Sequence, residues 1–180
     1  MTNNPIQTLH YLISQHQGWD ESILLGRHQF LTMEGQVDDR LYFIESGSIR
    51  VYWQYEVEEY TIRFGYPGHF IAALDSFIHG QPSAYSLKAL RQCELKAIRK
   101  SSFAELKERA PEVAELYNFL LEQLILQQME REQDLLITSP VERYQRVLER
   151  SPMLFQEVPH KYIAAYLRMT PETLSRIKKS

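Results

Sequence analysis

The chain has 180 residues, of which 44% are hydrophobic, and a formal net charge of −3. This length allows one large domain or two small ones, and the composition is that of a globular protein. No apolar run reaches the roughly 18–20 residues that a membrane-spanning helix needs, and the N-terminal sequence lacks the layout of a secretory signal. The single cysteine, Cys93, excludes an internal disulfide and a four-cysteine metal or iron–sulfur site. We therefore expect a cytoplasmic protein.

The charge is unevenly distributed along the chain. Residues 140–180 contain eight basic and four acidic side chains, a net of +4, so the other residues sum to −7. A basic C-terminal segment on an acidic body is typical of a module that binds a polyanion. A solvated basic face explains the charge equally well, so charge alone leaves both interpretations open.

The first 100 residues are predicted to form a short helical region followed by strands. Residues 5–25 have a helical pattern, with Ile6, Leu9 and Ile13 on one face. From His28 the pattern changes to short β-rich runs separated by turn residues, and all seven glycines lie within the first 80 residues. The predicted strands are HQFLTM, RLYFIES, SIRVYWQYE, EEYTIRFG, HFIAAL, AYSLKAL and CELKAIRK. Many short strands at close spacing indicate an antiparallel barrel or jelly roll.

From Ser101 onward the pattern is helical. Ser102 is predicted to cap a short helix through Leu106, and Pro111 is predicted to begin a helix that continues to Thr138. This second helix would be about 40 Å long and would carry more apolar surface than a small barrel can cover. We expect it to form the seam of a dimer, although packing along its own barrel would explain the same residues.

The sequence Thr138-Ser139-Pro140 is predicted to be a hinge, because proline disfavours a helical conformation in the residue before it. Val141 to Arg150 is expected to form a further helix.

Residues 158–180 are predicted to form two short helices. Ile163 and Leu167 give the first helix an apolar face, and Leu174 and Ile177 do the same for the second.

The turn between these two helices is predicted at Arg168-Met169-Thr170. Thr170 is a suitable N-cap and Pro171 a suitable first helical residue, so the second helix is expected to begin there. Ala164 is small enough to lie where the two helices cross.

The exposed face of the second helix is predicted to read DNA. An arginine can donate two hydrogen bonds to guanine, and a glutamate can accept one from cytosine. Hydroxyl groups and lysines suit phosphate oxygens. The predicted DNA-binding residues are Arg168, Thr170, Pro171, Glu172, Thr173, Ser175, Arg176 and Lys179. The same helix pair could serve as a structural cap, but the basic charge of the segment favours DNA binding.

The stretches YIAAYLRMTPETLSRI and SPVERY resemble the helix-turn-helix of the cyclic-AMP receptor protein/fumarate-nitrate regulator (Crp/Fnr) superfamily of bacterial transcription regulators, in its branch with orphan ligands. GQVDDRLYFIESGSIRVY resembles the β-roll of the same superfamily. The resemblance implies an α+β fold in three parts. Residues 1–110 would form an antiparallel, cyclic nucleotide-binding-like jelly roll that acts as sensor, residues 111–138 a dimerisation helix, and residues 139–180 a helix-turn-helix DNA-binding domain.

The resemblance also implies partners and base-reading residues. Members of the superfamily form homodimers that bind two-fold symmetric double-stranded DNA, and they often recruit RNA polymerase. Their recognition helix carries a glutamate and an arginine four residues apart for base contacts, and these match Glu172 and Arg176. No catalytic residue, cofactor, metal or membrane partner is predicted.

Two features of the DNA-binding segment depart from the family pattern. The usual turn glycine is Arg168, which costs about 1 kcal/mol in a left-handed conformation and could reach a phosphate instead. The sequence ends at Ser180, directly after the recognition helix. The winged helix is therefore expected to be truncated and to make fewer phosphate contacts.

The predicted sensor also departs from the family pattern. In the family a Gly-Glu pair binds the ribose of cyclic AMP, and an arginine ten residues later neutralises the phosphate. Here Ala72-Ala73 and Ser83 occupy those positions. Because a buried phosphate without a paired charge is costly, cyclic AMP binding of the usual kind is not expected. The predicted pocket residues are Ala72, Ala73, Ser83, Ala84, Tyr85, Gln127 and Gln128.

The sequence allows two alternatives for this pocket. It could hold a small neutral or apolar effector of unknown identity, or it could be empty or collapsed, with constitutive DNA binding.

Other chemistry is not favoured by the sequence. The six histidines include no His-x-His or His-Glu-x-x-His spacing, so a metal-dependent enzyme of the related barrel type is not expected. Cys93 lies in a strand-like run and is expected to be buried and inert. The main alternative to a regulator is a ligand- or partner-binding β-roll whose short helical tail does not bind DNA.

Overall fold

The computed structural model describes residues 4–179. Residues 1–3 of the predicted sensor and Ser180 of the predicted DNA-binding domain lie outside the described residues. Within this range the strands are β1 (Glu21–Leu25), β2 (Phe30–Thr32), β3 (Arg40–Ser46), β4 (Ile49–Tyr55), β5 (Glu58–Gly65), β6 (Phe70–Ile71), β7 (Ser86–Ala89) and β8 (Cys93–Arg99). The helices are α1 (Pro5–Gln15), α2 (Leu74–His79), α3 (Lys100–Arg109), α4 (Pro111–Leu136), α5 (Pro140–Arg150), α6 (Leu154–Glu157), α7 (His160–Tyr166) and α8 (Pro171–Ile177).

The strands form two four-stranded antiparallel sheets. One sheet has the order β1-β8-β3-β6 and the other the order β2-β7-β4-β5. A single core cluster takes buried side chains from both sheets, among them Tyr42 and Leu95 of the first and Ile49 and Leu87 of the second. This arrangement confirms the predicted α+β class and the predicted antiparallel jelly roll.

The strands with the strongest sequence pattern were predicted with the bounds observed. RLYFIES coincides with β3 and EEYTIRFG with β5. HFIAAL was predicted as a strand, but only Phe70–Ile71 is extended, and α2 follows it. Gly80 ends α2 in a left-handed conformation, with φ of 67°, which a glycine adopts without strain.

The helical prediction for residues 21–25 was wrong, because this segment is β1. It pairs with β8 in an antiparallel register from Glu21–Ala97 to Leu25–Cys93. Leu24 is exposed while Leu25 is buried, as alternation along a strand requires.

Helix α1 is confirmed by its buried face. Leu9 and Ile13 pack in one cluster with Leu106 of α3 and Val113 of α4. Asn4 caps the helix, because its side-chain oxygen accepts a hydrogen bond of 3.0 Å from the Ile6 N–H. The cluster fixes the N-terminal half of α4 against the jelly roll.

Helix α3 begins before the predicted cap. Its first residue is Lys100, so Ser102 lies in the first turn and does not cap it. The Ser102 hydroxyl instead donates to Asp20 at 2.9 Å, which ties α3 to the segment before β1.

Helix α4 has 26 residues and is about 39 Å long. It ends at Leu136, two residues before the predicted end at Thr138, because Ile137 is already extended. Ser139 then caps α5 by accepting from the Glu142 N–H at 3.3 Å.

Helices α5 to α8 share a core of their own. It includes Val147, Ile163, Leu167 and Leu174, and it extends to Phe64 of β5. The C-terminal helices are therefore packed against the jelly roll as well as against one another.

Candidate functional site

Helices α7 and α8 meet at a buried crossing. Ile163, Ala164 and Leu174 are all fully buried in it. The turn between the helices lies at the predicted residues, and Arg168 has a left-handed φ of 51°. The Thr170 hydroxyl accepts a hydrogen bond of 3.2 Å from the Thr173 N–H and so caps α8.

Helix α8 turns one side to the protein and the other to solvent. Leu174 is buried and Ile177 is partly buried. Of the predicted DNA-binding residues, Thr173 is half-buried, and the others are exposed: Arg168, Thr170, Pro171, Glu172, Ser175, Arg176 and Lys179. The helix thus offers a continuous surface of hydroxyl, carboxylate and cationic groups.

Glu172 and Arg176 lie one turn apart on this surface. The Glu172 pKa is lowered by a hydrogen bond from its own backbone N–H, by the Thr170 hydroxyl and by attraction to Arg176. The carboxylate is therefore ionised at neutral pH and accepts hydrogen bonds only. Arg176 Nη2 lies 3.5 Å from Thr173 Oγ1. An acceptor and a multiple donor at this spacing can contact adjacent base edges in a DNA groove.

Replacing the N-cap should loosen the start of α8. We expect Thr170→Ala to lower the free energy of unfolding by about 1 kcal/mol, because the Thr173 N–H loses its acceptor. Ser175→Ala on the exposed side of the same helix is the control and should change it by less than about 0.5 kcal/mol. Urea unfolding followed by circular dichroism measures both, and equal effects of the two substitutions would contradict the capping role.

A buried arginine that the sequence did not single out holds the turn before α8. Arg143 of α5 is 8% exposed. Its guanidinium donates to the carbonyl of Leu167 at 2.9 Å and to that of Arg168 at 3.2 Å. It also donates to the carbonyls of Ile137 and Thr138, at 2.5 and 3.2 Å. One side chain therefore joins the segment after α4 to the turn between α7 and α8.

Two further arginines of α5 point inward, towards α4. The carboxylate of Asp134, which is fully buried, accepts from Arg146 Nε at 3.0 Å and from Arg150 Nη2 at 2.5 Å. With Arg143, three of the eight basic residues in 140–180 thus serve internal contacts. The exposed cations of this segment are Lys161, Arg168, Arg176, Lys178 and Lys179.

A large cavity of about 920 Å³ lies between the jelly roll and α4. Its walls are largely apolar, with Val51, Ile62, Leu120 and Leu124 among them. Of the predicted pocket residues, five line it: Ala72, Ala73, Tyr85, Gln127 and Gln128.

Ser83 and Ala84 were predicted to line the pocket but lie outside its wall. Ser83 is buried, and its hydroxyl donates to Asp75 Oδ1 at 2.8 Å. Ala84 is exposed, and its N–H donates to Asp75 Oδ2 at 2.8 Å. The carboxylate of Asp75 thus occupies two donors of this loop, and its negative charge disfavours an incoming phosphate there.

Among residues 4–179, no group of three or more histidine, cysteine or acidic side chains is placed to hold a metal ion. Cys93 is buried, and burial raises the pKa of its thiol to about 11, so the thiolate is scarce at neutral pH. None of the helices in this range is both long and apolar enough to cross a membrane.

Part of the chain is similar to known sequences. Residues 23–110 match the family model of the cyclic nucleotide-binding domain. The patatin-like phospholipase domain-containing protein 7 of Rattus norvegicus and that of Mus musculus are each 29% identical to the chain over 104 residues. The match covers 52% of this chain and only 8% of each relative, so it concerns one domain of much longer proteins.

Comparison with solved structures extends the similarity over nearly the whole chain. The catabolite activator protein of Thermus thermophilus has 23% identity and a TM-score of 0.58, over 98% of this chain and 85% of that one. A CooA mutant from Carboxydothermus hydrogenoformans has 15% identity and a TM-score of 0.73, over 99% and 84%.

A third solved structure is also similar over most of the chain. The c-di-GMP-responsive regulator CLP of Xanthomonas campestris has 17% identity and a TM-score of 0.71, over 94% of this chain and 90% of that one. At these identities the similarity establishes the fold. The predicted fold is confirmed: a cyclic nucleotide-binding jelly roll is followed by a C-terminal helical region like that of the catabolite activator protein.

Proposed function

We propose that this chain, which has the fold of the Crp/Fnr superfamily, is a DNA-binding transcription regulator that acts as a homodimer. The observation that carries the proposal is the exposed face of α8. Glu172 and Arg176 lie one turn apart on a capped helix whose opposite side is buried through Leu174. In this proposal α8 enters the major groove, Glu172 and Arg176 contact bases, and the surrounding hydroxyls and cations contact phosphates.

Helix α4 supports the homodimer. Phe119, Leu126, Met129 and Leu136 are all more than 40% exposed, and they follow one another at intervals of seven, three and seven residues. This is the spacing of the apolar seam of a coiled coil. A second copy of α4 would cover these side chains, and the two α8 helices would then meet half-sites about 34 Å apart on the DNA.

The large cavity supports a neutral or apolar effector rather than a cyclic nucleotide bound in the usual manner. Its walls are mainly apolar, and Asp75 holds the donors of the Ser83–Ala84 loop. A phosphate at this loop would have to displace the Asp75 carboxylate from both donors. An effector in this cavity would contact α4 directly through Gln127 and Gln128.

A second candidate function is a ligand- or partner-binding jelly roll whose helical tail does not bind DNA. The inward orientation of Arg143, Arg146 and Arg150 favours it, because these cations already bind carbonyl and carboxylate oxygens of the protein. DNA binding remains the better supported function, since five cations of the segment are exposed and three of them lie in or beside α8 at Arg176, Lys178 and Lys179.

The experiment is selection of bound sequences from a random duplex library, followed by fluorescence anisotropy on the selected DNA. We expect Arg176→Ala to weaken binding to the selected site by roughly 5- to 150-fold and to relax its preference at one base position. Lys179→Ala should weaken selected and random DNA alike and lower the salt dependence.

Arg99→Ala is the control for these substitutions. This exposed arginine lies at the end of β8, far along the chain from the helix pair, and should leave DNA binding unchanged. Failure of the unmodified chain to enrich any sequence, or an unaltered base preference in Arg176→Ala, would count against the regulator and for the second candidate.

A further inference from the structure

A second cavity, of about 460 Å³, lies where the jelly roll, α4 and the C-terminal helices meet. Its charged wall residues are Arg63 of β5, Glu130 and Arg131 of α4, and Arg150 of α5. The imidazole of His69 also lines it. Three arginines face one carboxylate. The walls of this cavity are more polar than those of the large one. The two cavities adjoin, since Arg63, His69 and Gln127 line both.

Arg150 is neutralised within the protein. It lies 2.5 Å from Asp134 and 3.4 Å from Glu130, so the Glu130 carboxylate in the cavity wall is already paired. Asp134 also binds Arg146. Among residues 4–179, neither acid forms a salt bridge with Arg63 or Arg131.

Arg131 is buried with one side of its guanidinium unsatisfied. It is 9% exposed and lies over the ring of Tyr166, with 3.6 Å between the guanidinium carbon and the ring centre. Its Nη2 donates to the Tyr166 carbonyl at 2.5 Å. Its Nη1 is buried and has no hydrogen-bond partner in the described part of the chain. Burial lowers the pKa of Arg131, and attraction to Tyr166 and Asp134 offsets this only in part.

Arg63 of β5 is half-buried and lines the same cavity. Within residues 4–179 it forms no ion pair, and its hydrogen-bond partner is the neutral Gln127, whose Oε1 lies 3.4 Å from Nη2. Burial lowers its pKa too. Burial together with Arg63 lowers the pKa of His69 to about 4, so this imidazole is neutral at pH 7 and adds no charge.

We propose that this cavity is a binding site for a small oxyanion, a phosphate- or carboxylate-bearing molecule held between Arg63 and Arg131. Guanidinium groups bind planar carboxylates and phosphates through paired N–H donors, and the unused Nη1 of Arg131 is such a donor. Buried cations are costly unless paired, and a bound oxyanion would compensate both. The cavity volume falls in the range of small-molecule sites, so the anion can be an organic molecule.

The proposed site lies between the jelly roll and the C-terminal helices. Arg63 belongs to the jelly roll, whereas Arg131 touches Tyr166 of α7 and so the C-terminal helices. An anion held between them would stabilise the packing of these parts against each other. The proposal does not depend on DNA binding, because its test measures the anion alone.

The test is isothermal titration of the full chain with inorganic phosphate and, separately, with citrate, in a buffer free of both. We expect saturable one-to-one binding of at least one probe and a higher melting temperature in its presence. Arg63→Gln and Arg131→Gln should each weaken that binding at least tenfold. The probe that binds more tightly tells whether phosphate or carboxylate is preferred.

Arg99→Gln is the matched control, since it removes one exposed arginine from the end of β8. It should bind the probe as tightly as the unmodified chain. Equal weakening in Arg99→Gln would indicate general charge attraction and overturn the site, as would the absence of saturable binding of either probe to the folded chain. Arg63→Gln keeps the test decisive if Arg131→Gln fails to fold, because Arg63 makes no ion pair among the described residues that folding could lose.

Discussion

Asp134→Ala is expected to lower the free energy of unfolding by about 3 kcal/mol or more. Asp134 is fully buried and accepts from both Arg146 and Arg150. Removing one member of a buried charged group typically costs about 3–5 kcal/mol, because the remaining charges stay partly desolvated. Arg146 and Arg150 keep some contact with solvent, with side chains 37% and 22% exposed, which places the effect at the lower end of that range.

Asp134→Ala should destabilise the junction between α4 and α5 first. Asp134 lies just before the extended residues 137–139, and both arginines lie after them. We expect faster proteolytic cleavage at residues 137–139 together with a lower urea midpoint. Both follow if the carboxylate holds the two helices together.

Glu130→Ala is the matched control for Asp134→Ala. Glu130 lies one turn earlier on α4 and pairs with the same Arg150 at 3.4 Å, but its side chain is 49% exposed. An exposed pair of this kind contributes about 0–1 kcal/mol. If the two substitutions had the same small effect, Asp134 would not be the residue that joins α4 to α5.

The jelly roll was predictable because its pattern is local. In β3 and β5 the apolar residues, the strand ends and the turn residues all lie within one short stretch, so the sequence predicted their bounds. β1 failed for the opposite reason: residues 21–25 contain adjacent leucines whose alternation becomes visible only against β8, some seventy residues later. The same limit explains α2, which was read as part of a strand.

In the candidate site, too, the features set by neighbouring residues could be predicted and the longer-range contacts could not. The turn and α8 were predicted from Thr170 and Pro171, which act on the next few residues of the chain. Arg143 and Asp134 were missed because the contacts that join them to other elements span 12 to 25 residues of the chain. Arg143 does lie four residues before the buried Val147, on the inner face of α5, and that spacing was the one available signal.

Arg143→Met should weaken the C-terminal helices by about 3 kcal/mol or more and disturb the position of α8. The methionine side chain can fill most of the space but donates no hydrogen bond. The carbonyls of Leu167, Arg168, Ile137 and Thr138 would lose their charged donor. A single hydrogen bond to a charged group contributes about 1.5–3 kcal/mol, and the four bonds are shared by one guanidinium, so their effects do not add.

Two measurements separate stability from position in this variant. Urea unfolding gives the loss of free energy, and anisotropy on the selected DNA, at a temperature where the variant is still folded, reports on α8. If the regulator proposal holds, DNA binding should weaken, because the guanidinium fixes the carbonyls of Leu167 and Arg168 just before α8. Arg143 itself is buried and would not contact the DNA. Arg99→Met removes an exposed arginine and should alter neither quantity. A variant with lower stability but unchanged DNA affinity would show that Arg143 supports the fold without positioning α8.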